Sequence, residues 1–122
     1  MTPLQRARGA IGTRFRLHGR GGAEGIDCVG LAALAYTVRP PRGYDLRTGD
    51  PIRVFDAVSA AGLTEVSDER PGDLILFLAG PGQLHLGIAS ERGVIHADAS
   101  LRRVVERPGE PPWPILKRWR KE

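Results

Sequence analysis

The chain has 122 residues, with 18 Lys and Arg against 14 Asp and Glu, a net charge of +4 at pH 7, and a single cysteine. That length holds one domain with a real core, spanning residues 1–122, and leaves no room for a second module; a lone cysteine excludes an internal disulfide, so the fold rests on packing and the thiol is available for chemistry. The basic balance, with a pI near 10.0, draws polyanions in general, and charge alone does not choose between nucleic acid, anionic lipid and acidic envelope polymers.

Met1 to Ala10 lacks the unbroken apolar core of a signal peptide, and no later stretch is long enough to cross a bilayer. The expectation is a protein made in the cytoplasm, without a membrane span, that relies on a carrier if its substrate lies outside. Pro3 to Ala10 predicts a short basic helix. Gly12 to Gly22 is glycine-rich and irregular, which lets backbone approach a substrate closely, but it lacks the Gly-Lys-Ser/Thr ending of a phosphate loop.

Gly25-Ile26-Asp27-Cys28-Val29-Gly30-Leu31 takes this loop into a helix that is apolar nearly all round, as in an element packed on a sheet, with Asp27 as its N-cap. The helix should end before Pro40-Pro41. In its first turn Cys28 meets unpaired N–H groups and the positive end of the helix dipole, which favour thiolate and suit a nucleophile. The alternative is the small buried hydrophobe that a lone cysteine commonly is.

Arg42 to Gly49 reads as loop. Asp50 as N-cap with Pro51 at the first helical position opens another helix, whose buried face carries Ile52, Phe55 and Val58 and whose end Gly62 can cap. Strands then follow: Asp73 to Ala79, apolar throughout and therefore central; Leu84 to Ala89; Val94 to Asp98; Leu101 to Glu106; and, after the proline-rich link Arg107 to Pro114, Ile115 to Trp119. Helices before strands, without βαβ alternation, predict an α+β domain whose N-terminal helices pack on a meandering antiparallel sheet.

The turn Ser90 to Gly93 sets a register in which Ala89 faces Val94, Gly87 faces His96 and His85 faces Asp98. His85, Gly87, Ala89, Val94, His96 and Asp98 then share one face, and Leu84, Leu86, Ile88, Ile95 and Ala97 the other. The histidines become diagonal neighbours at about 7–8 Å. Gly87 and Ala89 leave their face nearly bare, so the Cys28 helix is expected to pack there and bring the sulfur to the histidines. A nucleophile, an imidazole to take its proton and a third group to orient that ring are what thiol catalysis requires.

These strings resemble the NlpC family of bacterial cell-wall cysteine endopeptidases, small papain-like domains that cut peptidoglycan stem peptides. Asp27-Cys28-Val29-Gly30-Leu31 resembles the family's Asp-Cys-Ser-Gly-Leu nucleophile motif and Pro71-Gly72-Asp73-Leu74 its Pro-Gly-Asp-Leu. His85-Leu86-Gly87-Ile88 resembles its His-Val-Gly-Ile, and Ile95-His96-Ala97 the segment with the third polar residue. The resemblance implies Cys28 as nucleophile, His85 as general base and acid, and His96 as the residue orienting His85, with Asp98 the rival that the register places opposite His85. Phe15 stands where the family usually has a tyrosine near the oxyanion, and a phenyl ring cannot donate; the Cys28 N–H and His18 are the candidate substitutes. Val29 replaces the common serine.

The lone domain is similar to the peptidase components of phage tails and phage-like gene-transfer particles, which implies delivery by the particle, action in the bacterial envelope and contact with other tail proteins. Lys117 to Lys121 reads either as a basic patch for wall polymer or a tail protein, or as a solvated strand end. The alternatives to a murein-directed thiol protease are a thiol amidase or acyltransferase on the same scaffold and a non-catalytic tail component. No nucleic-acid partner is expected, because charge comes without a recognised module. No metal or other cofactor is expected either, since Cys28, His85, His96 and Asp98 fit no common zinc spacing.

Overall fold

In the computed structural model, which describes residues 1–40 and 49–121, helices α1 (Pro3–Gly9), α2 (Cys28–Tyr36) and α3 (Pro51–Ala60) precede strands β1 (Thr64–Glu65), β2 (Leu74–Gly80), β3 (Gln83–Ala89), β4 (Gly93–Asp98), β5 (Arg103–Pro108) and β6 (Ile115–Arg120). The strands form one antiparallel sheet in the order β1-β6-β2-β3-β4-β5. The α+β reading holds. All but Gly49 of the loop expected over Arg42 to Gly49 lies outside the described residues.

Helix starts follow side-chain chemistry. Thr2 and Gln5 close a capping box on α1; Asp27 accepts from the Gly30 N–H at the start of α2, and Asp50 from the Ile52 N–H ahead of Pro51 at α3. α2 stops at Tyr36, earlier than the prolines require, with Thr37 in the left-handed region at φ 54°. Gly62, at φ 90°, ends α3 as expected. The inward face of α3 differs from expectation: Val54, Phe55 and Val58 meet the core, whereas Ile52 is 57% exposed. At 100° per residue Ile52 sits about 200° around the helix from Val54 and so points away.

The strands β2 to β5 meander, but β6 does not continue beside β5. It returns to the far edge of β2, pairing Trp119 with Leu74 and Arg118 with Ile75, and carries the short β1 outside it. Two long-range interactions favour this placement. Trp119 is buried against Phe55, with ring centroids 5.9 Å apart. Asp73, fully buried ahead of β2, accepts from Arg118 Nη1 at 3.1 Å and Arg120 Nε at 2.7 Å.

The basic stretch Lys117 to Lys121 is therefore largely committed within the domain. Lys117 pairs with Glu65 at 3.2 Å and lies 4.0 Å over the Phe55 ring, Arg120 also reaches Asp68, and Lys121 Nζ donates to the Tyr36 carbonyl.

The hairpin register is as expected at its turn, with Ile88 opposite Ile95 and Ala89 opposite Val94. The helix, however, covers the other face. α2 packs on Leu84, Leu86, Ile88, Ile95 and Ala97, while Ile75, Phe77, Ala89 and Val94 form a second cluster on the opposite side, closed by Trp113. The space at Gly87 is already used there: a Cβ would lie 2.5 Å from Val94 Cγ2 and 3.3 Å from Phe77 Cε2. An apolar helix removes more surface from water on the aliphatic face, and that gain decides the side.

Candidate active site

The loop before α2 is tied down by its backbone. Gly12 N–H donates to Val104 O and Phe15 N–H to Arg102 O, both at 2.9 Å, while Arg16 N–H donates to Ile26 O and Ile26 N–H to Arg14 O. These bonds hold the loop to the β5 edge and to its own end. Asp27, buried where the loop meets the helix, accepts from the N–H groups of Gly30 and His18 at 2.8 Å each and from Arg20 Nη1 at 3.3 Å. One carboxylate thus caps α2 and fastens the loop beside Cys28. Gly30 is needed at this junction, since a Cβ would lie 2.2 Å from the Gly19 carbonyl oxygen.

Phe15 is half-buried against the cluster that contains Cys28, whereas the His18 side chain is exposed and its backbone left-handed at φ 61°. The loop therefore holds both residues near the start of α2.

Cys28 is 8% exposed. Burial pushes its thiol up to about 12, against the pull of the Leu86 N–H and the N–H groups of Cys28 and Val29, and the Asp27 carboxylate adds to the rise. The thiolate expected from the helix terminus is thus not the resting form, because desolvation outweighs the dipole. The Leu86 contact also locates the sulfur. The β3–β4 ladder is confined to Ile88–Ile95 and Ala89–Val94, and beyond it the thiol approaches β3 at Leu86, one residue from His85. Among the described residues no hydrogen bond joins Cys28 directly to either histidine.

The histidines themselves meet. His85 Nε2 lies 2.9 Å from His96 Nδ1, with ring centroids 5.0 Å apart and the planes at 87°. The expected facing of His85 and Asp98 does not form: Asp98 pairs across the next ladder with Arg103, and its Oδ2 lies 4.0 Å from His96 Nε2. The order is His85, His96, Asp98, and Asp98 reaches the base only through His96.

Trp113 went unrecognised in the sequence as part of this site. It stands edge-on to both imidazoles at 5.3 Å and to Phe77 at 5.4 Å. Its setting, Pro112-Trp113-Pro114, is a stiff frame holding one large aromatic, and that was the available signal. Burial holds the His85 imidazole down at about 4, with His96 adding to the effect and Asp98 opposing it. His96 is also lowered, by burial, opposed by Asp98 and aided by Arg107.

The arrangement therefore presents a neutral thiol and two neutral imidazoles in series. If His96 Nδ1 accepts from His85 Nε2–H, then His85 Nδ1 carries a lone pair that can take a proton. Among the described residues no three His, Cys, Asp or Glu side chains are grouped to hold a metal ion, and no helix is long and apolar enough to cross a membrane.

No protein-family model matches the chain. It is 32% identical over 103 residues to the Murein DD-endopeptidase MepS/Murein LD-carboxypeptidase of Escherichia coli strain K12, a match over 84% of this chain and 51% of that protein, and equally to the same protein of Escherichia coli O157:H7. The chain spans about half the length of these curated relatives. Among solved structures, the peptidoglycan hydrolase RipB of Mycobacterium tuberculosis superposes with a TM-score of 0.59 at 23% identity, covering 97% of this chain and 62% of that one. The P60 domain of an M. avium subspecies paratuberculosis antigen gives 0.61 at 22% identity, covering 98% and 90%. At these identities the two structures speak for the fold.

Proposed function

We infer from the 32% identity to the murein endopeptidase over 84% of this chain that it belongs to the NlpC/P60 family, and from that premise we propose that it is a cysteine endopeptidase that hydrolyses amide bonds in the stem peptides of peptidoglycan. The observation that carries the reading is the His85–His96 pair, 2.9 Å apart, with His85 next in sequence to Leu86, whose N–H acts on the thiol of Cys28 at the start of α2. The murein peptidase activity in the names of the Escherichia coli relatives supports the substrate class.

In this mechanism His85 Nδ1 takes the Cys28 proton as the sulfur attacks the amide carbonyl. The S–C bond forms and the carbonyl π pair moves to oxygen. The Cys28 N–H, at the start of α2, serves the oxyanion. As the C–N bond breaks, His85 returns the proton to the leaving amine, which leaves a thioester on Cys28. Water, deprotonated by His85, then releases the acid and restores the thiol. Because thiol and imidazole are both neutral at rest, the proton passes from sulfur to His85 in the course of the reaction.

Delivery to the envelope by a phage tail or phage-like gene-transfer particle, in contact with its other proteins, belongs to this proposal. Mass spectrometry of purified particles tests it, and absence of the chain from them overturns it.

The activity is tested by incubating the purified protein with peptidoglycan and separating the soluble muropeptides. New fragments that disappear with Cys28→Ala are expected. Fragments unchanged in that variant overturn the cysteine mechanism, and an acyl chain in place of a peptide fragment trapped on Cys28 transfers the protein to the amidase or acyltransferase class.

A further inference from the structure

The two-histidine chain has a far end that the proposed mechanism does not use. His96 is 2% exposed, and its Nε2 makes no hydrogen bond among the described residues. Nδ1 of the same ring is engaged by His85. The acidic group beside the orphaned nitrogen is Asp98, whose Oδ2 lies 4.0 Å away, about an ångström longer than a hydrogen bond. The other carboxylate oxygen is occupied, since Asp98 Oδ1 accepts from the N–H groups of Ser100 at 2.8 Å and Leu101 at 3.0 Å. The carboxylate is therefore clamped by the turn with Oδ2 left toward His96.

We propose that Asp98 is a positioning residue that sets the tautomer of His96 and, through it, that of His85. A carboxylate can only accept, and its negative charge 4.0 Å away favours an N–H over a lone pair at His96 Nε2, so it places the proton there. With Nε2 protonated, His96 Nδ1 is bare and must accept; His85 then donates from Nε2 and keeps the lone pair on Nδ1. The reverse assignment, His96 Nδ1–H donating to His85 Nε2, would put the proton on His85 Nδ1 and remove its base. Asp98 selects between these two states without touching the thiol.

The charged groups that act on this pair are Asp98, which favours protonated imidazole, and Arg107, which disfavours it on His96. Their opposition, with burial, keeps His96 a neutral relay. When His85 takes the Cys28 proton, the new charge is shared toward Asp98 through the His96 ring.

The role of Asp98 in catalysis rests on the proposed peptidase reading; its control of the tautomers does not. Asp98→Asn is the discriminating variant. Its amide oxygen keeps the turn bonds to Ser100 and Leu101, so an N–H donor replaces Oδ2 beside His96. That donor should drive both rings into the opposite tautomer. Side-chain nitrogen NMR of the full chain at pH 7 reads this directly. The wild type should show Nε2–H on both rings and the variant Nδ1–H on both, with rescue by Asp98→Glu. A wild type with Nδ1–H on His96, or a variant with unchanged tautomers, overturns the proposal.

In the muropeptide assay Asp98→Asn should lower kcat by about 10³-fold or more with KM little changed, the size expected of a wrongly held base. Equal kcat in wild type and variant overturns the catalytic role. If the wild type cuts nothing, the peptidase reading fails, while the NMR result still decides whether Asp98 sets the tautomers.

Discussion

His85 Nε2 stands 2.9 Å from His96 Nδ1 with the two rings nearly perpendicular, so each imidazole presents its edge to the other and only one proton fits between them. Which ring holds that proton decides whether His85 is a base. The pair is sealed by Trp113 and Phe77 on one face of the sheet, while the helix bearing Cys28 covers the other and reaches the same strand at Leu86.

This geometry fixes a pH profile. Burial holds His85 down at about 4 and pushes the Cys28 thiol up to about 12, so between those values both are neutral, the form from which the proposed mechanism starts. Activity should be lost only as pH falls toward 4, where His85 takes a proton, and kcat/KM on a soluble stem-peptide fragment should be flat from about pH 5.5 to 8. A limb near the ordinary histidine value of about 6.5 contradicts this. Alkylation of Cys28 by a neutral reagent should still be rising above pH 9; a plateau below pH 7 would mark a resting thiolate.

Trp113 should matter to both stability and titration. Trp113→Ala uncovers two imidazoles and leaves a gap beside Phe77, at a cost of about 2 kcal/mol for a half-buried aromatic. Because burial is what lowers both histidines, admitting water should raise both toward about 6.5. Histidine ring resonances followed from pH 4 to 8 test this, and unmoved midpoints would show that the tryptophan does not shield the pair.

Much of this site could be read from the chain. Asp27 before an apolar run gave the cap, Pro51 after Asp50 the third helix, and Ser90 to Gly93 the register that puts Ala89 opposite Val94. Period-2 alternation sorted the strand residues onto two faces correctly, but it carries no information about which face a helix will choose. In the sequence Gly87 reads as room for α2, although its missing Cβ is the space filled by Val94 and Phe77. Trp113 and the return of β6 were likewise hidden, because both depend on contacts far apart in sequence, Trp113 with His85 and Arg120 with Asp73. The protonation of the thiol follows the same division: a helix terminus is local and legible, whereas burial of Cys28, which raises its pKa, is tertiary.

Asp73 should govern acid stability. Burial alone would raise its carboxyl, yet the Arg120 bonds, the Arg70 N–H and Arg118 hold it below the ordinary range. A depressed carboxylate stabilises the fold above its unfolded value of about 3.9, and that contribution is lost as pH falls through the lower folded value. The histidines act in a higher window. Held below about 6.5, they favour unfolding as pH falls from there toward 4, since the unfolded chain binds their protons first. Stability against urea should thus fall in two steps as pH is lowered, the upper one shrinking with His85→Ala. Asp73→Asn should cost about 3 kcal/mol by removing the buried carboxylate that Arg118 and Arg120 share; a loss below about 1 kcal/mol would show that their exposed partners Glu69 and Asp68 suffice.

Phe15→Tyr is the sharpest test of the loop before α2. Phe15 is fixed by its N–H bond to Arg102 O and by packing on the cluster that includes Cys28, so an added hydroxyl changes little of the fold and supplies a donor on the side of the nucleophile. An oxyanion donor contributes about 10²–10³-fold to acyl transfer where it reaches the developing charge. With the Cys28 N–H as the proposed donor already present, a rise in kcat of about 10-fold or more, with KM unchanged, is the expected gain in muropeptide release. An unchanged kcat would mean that the Phe15 ring does not point at the oxyanion. In that case His18, whose backbone N–H donates to the carboxylate of Asp27, the N-cap immediately before Cys28, becomes the donor to test: His18→Ala should then lower kcat by about 10-fold or more while leaving Cys28 alkylation unaltered, and an unaffected kcat in both variants would leave the helix N–H groups as the whole of the oxyanion site.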